Sequence, residues 1–432
     1  MRVKQSTIAP SPSRPGYARL SAEVEYDTPG IKPETYWFEV REDYRCFLSD
    51  TGNPWLVCLA PLAMALGEPL NICLPVDAKL LAGVIERMRI WKSWYPRLTM
   101  VLIEADLLER PVENAGKTFS FFSGGVDAYF TALYYDKTTD PFAKIAIDEL
   151  VNVWGFDIPY SDRESHEAFM KVFERSAQEM GKELVEVATN LRETQLEKRT
   201  SWEKMYLAPA LSSVALALEK RYKKALISSS SGYHDSGPDG SSALIDPLSS
   251  TGSLRVIHAG AAFSRVQKTE YIAGFSLVQK SLHVCFHIRS EKNCGYCIKC
   301  YRTMATLEIL GVLPRFKTFP EGAFQLSKAA KVYLWGADDA HMAKDIERLA
   351  IQKARPDVAQ AVRASFRHSG RVKKLLRLIA PLNGKRFFQG MFWWLEAKIL
   401  ADSVGGEERY YPVPEDSVMA LNVSIRVADK FR

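Results

Sequence analysis

No run of about 18 consecutive apolar residues occurs in this 432-residue chain, so neither a membrane-spanning helix nor a membrane partner is expected. The opening from Met1 to Pro15 is polar and proline-rich and lacks the apolar centre of a secretory signal. It reads as a disordered leader over 1–20 on a cytoplasmic protein. Cysteines number only seven, and a reducing compartment would not keep them in disulfides. The full Walker signature Gly-x4-Gly-Lys-Ser/Thr is absent, since Gly116-Lys117-Thr118 has Pro111 where the first glycine would stand, which argues against a Walker-type ATPase. No Ser-His-Asp set and no RNA-binding motif is evident. The net charge of +6 is too small to argue by itself for a nucleic-acid partner.

What is present is an ordinary globular composition, 47% hydrophobic and 25% charged, in a chain long enough for two or three domains. The organising stretch is Phe119-Ser-Phe-Phe-Ser-Gly-Gly-Val-Asp-Ala128. Residues 118–122 read as a short buried strand, Ser123, Gly124 and Gly125 as a tight turn, and 126–135 as a helix. A strand, a glycine turn and a helix start together make a cradle for phosphate. The glycines let backbone N–H groups approach an anion and the helix dipole favours its charge. The same pattern also serves as a plain strand-to-helix turn.

Upstream, the pattern predicts strands over 20–26 and 36–43, a helix over 54–66 with Pro61 inside it, a strand over 70–74, a helix over 78–94 and a strand over 98–105. This is an N-terminal α/β domain over 21–112. Cys46, Cys58 and Cys73 in it read as buried small hydrophobes, and Trp91 and Trp94 as core. Downstream, strands over 149–154, 183–188 and 225–227 alternate with helices over 161–180 and 202–222. That alternation predicts a parallel sheet with its ligand at the carboxyl ends of the strands. Residues 228–251, rich in Ser, Gly, Asp and Pro, are too long for a connector and read as an active-site loop. A strand over 254–258 follows, and Arg265 and Lys268 then sit at a helix start.

Cys285, Cys294, Cys297 and Cys300 have the spacing C-x8-C-x2-C-x2-C. Four thiolates so close suit a tetrahedral Zn2+ with a closed, structural shell. An iron–sulfur centre and free thiols are the alternatives, and His283 and His287 are spare ligand candidates. Residues 313–432 read as a helical C-terminal region, with helices over 326–335, 341–352, 358–367, 372–379 and 387–400. From residue 315 onward there are 21 lysines and arginines against 13 acids. Eight basic residues and no acid fall within 363–386. Arg363, Arg367, Arg371, Lys374 and Arg377 would share one stripe if a helix runs through Gly370. Such a stripe suits nucleic acid, an acidic partner, or plain solvation.

Ser123-Gly124-Gly125-Val126-Asp127 resembles the PP-loop signature of the ATP pyrophosphatases, with Ala128 where that family usually has Ser. Joined to the cysteine spacing, the domain over 113–312 resembles, across about residues 117–311, the 7-cyano-7-deazaguanine synthase (QueC) family. The closer likeness is to longer QueC-like proteins of bacterial anti-phage gene islands. The resemblance implies a parallel-sheet PP-loop domain of the HUP-like, Rossmann-related kind, between the N-terminal α/β domain and the helical C-terminal region. It implies that Ser123, Gly124, Gly125, Val126 and Asp127 hold ATP phosphate, with Arg265 and Lys268 as further cations. Asp127 and Lys268 would be catalytic, Mg2+ would accompany ATP, and the four cysteines would hold Zn2+. The implied reaction adenylates a deazapurine carboxylate for amide or nitrile formation or conjugation, with a protein partner from the same gene cluster. The family's Tyr-Pro-Asp-Cys-Arg substrate segment is missing; Pro238-Asp239 is its only echo. A non-catalytic nucleotide-binding subunit is the alternative. A tRNA-modifying PP-loop enzyme is another, but it would need a reactive cysteine from among Cys46, Cys58 and Cys73.

Overall fold

The computed structural model describes residues 1–235, 237–285, 290–383 and 389–405. It is a mixed α/β structure around one ten-stranded, mostly parallel sheet. In chain order the strands are β1 (Arg2–Pro10), β2 (Tyr17–Glu25), β3 (Glu34–Arg41), β4 (Leu70–Val76), β5 (Ile103–Leu107), β6 (Lys117–Phe121), β7 (Glu149–Trp154), β8 (Glu183–Thr189), β9 (Tyr222–Ser228) and β10 (Arg255–Ala259). Their spatial order is β10-β9-β6-β7-β8-β3-β2-β1-β4-β5. The five strands from β10 to β8 run parallel, as do β1, β4 and β5, and β3 and β2 join the two blocks through antiparallel pairs.

Burial follows from pattern. β2 alternates buried and open positions, as a strand with one covered face must, whereas β6 is buried almost throughout, as a strand covered on both faces must be. The helix Asn53–Leu66 is apolar all round and accordingly lies in the core, with Pro61 accommodated inside it. Gly67 ends it at φ +72. Trp91 is fully buried, as its position on the helix Ala78–Trp94 predicts.

Several expectations need correction. The segment expected as a disordered leader is β1, paired antiparallel with β2 from Arg2↔Glu25 to Pro10↔Ala18. Its Val3 has no exposed surface, and the Met1 amino group contacts Glu68 at 3.1 Å. Pairing with β2 on one side and β4 on the other outweighed the proline content. The expected division near residue 112 does not separate two sheets, because β3 pairs with β8 at Phe38↔Thr189 and Glu39↔Ala188. The helix expected over 202–222 is a π-turn, Trp202–Tyr206, then the helix Leu207–Ala217, and Tyr222 already begins β9. The helix expected over 326–335 is only Leu326–Ala329.

The described chain divides into two compact units. The first comprises Met1–Ser123 and Thr131–Ala261 and contains the whole sheet. The second comprises Gly124–Phe130 and the described chain from Ala262 onward. Its core joins Val266, Ala305, Ile309, Ile346, Leu349, Val358 and Val362. The expected pair of helices over 358–367 and 372–379 is one helix, Pro356–Asn383, which passes through Gly370. Among the described residues no helix is long and apolar enough to cross a membrane.

Candidate functional site

The organising stretch folds as strand, turn and helix. β6 ends at Phe121, Gly124 adopts φ +71, and the helix Val126–Lys137 begins immediately after Gly125. Only glycine takes that φ without strain. Asp127 lies in the first helical turn, where a carboxylate is favoured by the helix dipole. Ser123 is exposed, and Gly124, Val126 and Ala128 are buried.

Arg265 and Lys268 come from the helix Arg265–Ile272, whose start is fixed by a capping box. Ser264 Oγ accepts from the Gln267 N–H at 3.3 Å, and Gln267 Oε1 accepts from the Ser264 N–H at 2.9 Å. Three residues apart, the two cations share a helix face. They meet on Asp127: Arg265 Nη2 lies 2.8 Å from Oδ2 and Lys268 Nζ lies 3.4 Å from Oδ1. The Lys268 side chain is almost fully buried, with its ammonium 5.9 Å from the Phe130 ring centroid. Burial pushes its pKa down; Asp127 opposes the shift and Arg265 adds to it. Two cations on one carboxylate leave a net positive charge beside a helix N-terminus, an environment that attracts anions.

The four cysteines also converge. Their sulfurs all lie within 4.8 Å of one another, and Cys294 Sγ is 3.7 Å from Cys300 Sγ. A zinc tetrathiolate with Zn–S of about 2.3 Å has edges of about 3.8 Å, whereas a disulfide needs about 2.05 Å. The cluster could therefore hold a metal such as zinc. Backbone amides prepare the sulfurs for negative charge: Cys297 N–H donates to Cys294 Sγ at 3.2 Å and Cys300 N–H to Cys297 Sγ at 3.4 Å. Among the described residues His283 is not part of this group, and His287 lies outside them.

A strap ties the cluster to the glycine turn. The His283 N–H donates to the Gly124 carbonyl at 3.0 Å, and Tyr129 Oη is 2.6 Å from Ser281 Oγ. Asn293, 1% exposed, holds the strap from behind. Its Oδ1 accepts from the Val284 and Cys285 N–H groups at 2.8 and 3.1 Å, and its Nδ2 donates to the Leu282 carbonyl at 2.9 Å. Sequence reasoning missed Asn293, Tyr129 and Ser281. Asn293 directly precedes Cys294, and that position was its one visible signal.

Other expected residues fare differently. Cys58 is buried, but Cys46 and Cys73 are exposed rather than buried. Cys46 lies on the 3-10 turn Glu42–Phe47 and Cys73 on an outward position of β4, and apolar neighbours in sequence do not bury either site. The loop over 228–251 is pinned by Asp246, fully buried, which accepts from Ser241 Oγ at 2.8 Å and lies 2.7 Å from His258 Nδ1. Asp239 Oδ1 accepts from the Gly240 N–H at 2.9 Å. Arg363, Arg367, Arg371, Lys374 and Arg377 are all exposed on the one helix, and Arg363 pairs with Glu347. Lys385 and Arg386 lie outside the described residues.

No protein-family model matches the chain, and no curated protein and no solved structure matches it either.

Proposed function

We propose that the chain is an AMP- and pyrophosphate-forming enzyme with a PP-loop domain of the Rossmann-related kind, acting on a deazapurine carboxylate. The observation that carries the reading is Asp127, which follows the glycine turn and engages both Arg265 and the buried Lys268. In this reaction a carboxylate oxygen of the substrate attacks the α-phosphorus of ATP. The bond from that phosphorus to the bridging oxygen breaks, and pyrophosphate leaves with the electron pair. The resulting acyl-adenylate is opened at its carbonyl by an amine, which loses a proton as AMP departs, giving an amide.

The residues contribute position and charge rather than a nucleophile. Backbone N–H groups at the start of the helix Val126–Lys137 receive phosphate oxygens. Arg265 and Lys268 offset the charge that grows on pyrophosphate. A carboxylate has about four lone-pair directions, so Asp127 retains acceptor capacity toward Mg2+ beyond its two cations. Mg2+ bound with ATP would neutralise phosphate charge as a Lewis acid. A metal held by the cysteines would act at a distance, by fixing the strap that meets Gly124.

The likeness to QueC-like proteins of anti-phage islands extends the proposal to a defence role with a partner protein of the same gene cluster. The test is the product made from labelled ATP with 7-carboxy-7-deazaguanine. The reading expects AMP, lost in Lys268→Ala. ADP as product contradicts it, and nucleotide binding without turnover favours a nucleotide-sensing subunit.

A further inference from the structure

We propose that the cavity beside β10, lined also by Lys223 of the neighbouring β9, is a second ligand site, one that takes the phosphate of a nucleotide and stacks its base on Tyr233. The groove belongs wholly to the first unit and is independent of the site around Asp127. β10 is a terminal strand of the sheet, so one of its edges has no partner strand. A cavity of about 550 Å³ runs beside it from Arg255 to His258, a length of about 10 Å at the rise of a strand. That volume is of the size that holds a small organic ligand rather than a bare ion.

The lining chemistry is one-sided. Lys79, Lys223, Arg255 and His258 line the cavity together with Ser250, Thr251, Ser253 and Tyr233, and among the described residues no carboxylate lines it. Lys223 and Arg255 are exposed, and neither makes an ion pair among the described residues. Lys79 Nζ donates to the Thr251 carbonyl at 3.2 Å, which orients it without neutralising it. The two acids nearby are already used. Asp77 caps the helix Ala78–Trp94 through the Lys79 and Leu80 N–H groups and takes the Gly252 N–H at 3.0 Å. Asp246 has no exposed surface and is held by Ser241, the Ser242 N–H and His258.

The wall is therefore rigid where it carries the His258–Asp246 pair and uncompensated where it carries Lys223 and Arg255. Tyr233, 59% exposed, is the aromatic ring among the lining side chains. Cations along a groove with an open aromatic face are what single nucleotides, and bases in a single strand, bind to. The shared chemistry is a nucleotide phosphate, whether free or within a strand.

The experiment uses the full chain and two probes, uridine monophosphate and a fluorescein-labelled 12-nucleotide single strand, titrated at several salt concentrations. Three variants are compared: Lys223→Glu/Arg255→Glu, the milder Lys223→Gln/Arg255→Gln, and Tyr233→Leu. All three positions are exposed, and unchanged thermal melting checks the fold. The proposal expects the charge reversal to weaken binding of at least one probe by tenfold or more. The glutamine pair should weaken it less, and Tyr233→Leu by about tenfold. If the source is a strand, the salt slope also falls by about 1.4 on losing two phosphate contacts. If the source is a free nucleotide, only uridine monophosphate responds. The proposal is overturned if neither probe binds the wild type, or if the charge reversal leaves both affinities unchanged. It is equally overturned if uridine monophosphate does not respond to the charge reversal and strand binding is lost only on Arg367→Glu/Arg371→Glu in the second unit.

Discussion

Asp127→Asn keeps the shape of the side chain and removes its charge from between Arg265 and Lys268. Two unit charges about 4 Å apart interact by about 4 kcal/mol at an effective dielectric of 20. Asp127 is 17% exposed, so water repays part of that, but the ammonium of Lys268 is 1% exposed and has no such recourse. Removing one partner of a buried pair typically costs about 3–5 kcal/mol, and the partial exposure places this case at the lower end, about 3 kcal/mol. For a unit of this size that lowers the melting temperature by roughly 6–12 °C. The pH dependence has a definite sign. Burial holds the folded pKa of Lys268 below its ordinary 10.5, and losing Asp127 lowers it further. The folded state then binds fewer protons than the unfolded state between those two values, so stability is recovered as pH rises toward 10.5. The deficit of Asp127→Asn should be largest near neutral pH and shrink as pH rises toward 10.5. Adding Lys268→Met should restore about 1–3 kcal/mol, because the stranded charge is gone. Melting followed by circular dichroism from pH 7 to 10 reads all of this. Additive losses in the double variant, or a deficit that grows with pH, would refute the pairing.

Purified protein should carry about one Zn2+ per chain by elemental analysis, and Cys294→Ser should lose the metal and lower stability together; iron with sulfide instead would contradict the zinc assignment. Asn293→Ala leaves the Val284 and Cys285 N–H groups unsatisfied and should cost about 3 kcal/mol, with faster hydrogen exchange at the strap as its signature. Gly83→Ala would place a Cβ 2.1 Å from the Leu248 carbonyl, so it should loosen the turn Asp246–Ser249 and raise protease cleavage between 242 and 251.

Much of the α/β order was legible because strands such as β7 and helices such as Ala78–Trp94 carry their period in the sequence. β1 was not legible, since Pro10 and the polar residues around it look like leader until β2 is there to pair with them. The joining of β3 to β8 was equally hidden: it depends on two edges meeting, which local pattern does not encode. At the site, Arg265 and Lys268 were visible as a helix start, and the cysteines as a spacing. Their convergence on Asp127 and the hydrogen bond from His283 to Gly124 are tertiary facts. Cys46 and Cys73 show the reverse error, in which apolar neighbours suggested burial that a 3-10 turn denies to the first and an outward strand position to the second.

The most direct measurement is exchange of labelled pyrophosphate into ATP, made with 7-carboxy-7-deazaguanine present and every amine withheld. An acyl-adenylate formed reversibly at the Asp127 site predicts exchange that requires the acid and that falls on the order of 100-fold or more in Lys268→Ala. Wild-type protein that binds ATP yet exchanges no pyrophosphate with any deazapurine acid, its natural partners included, would contradict the account.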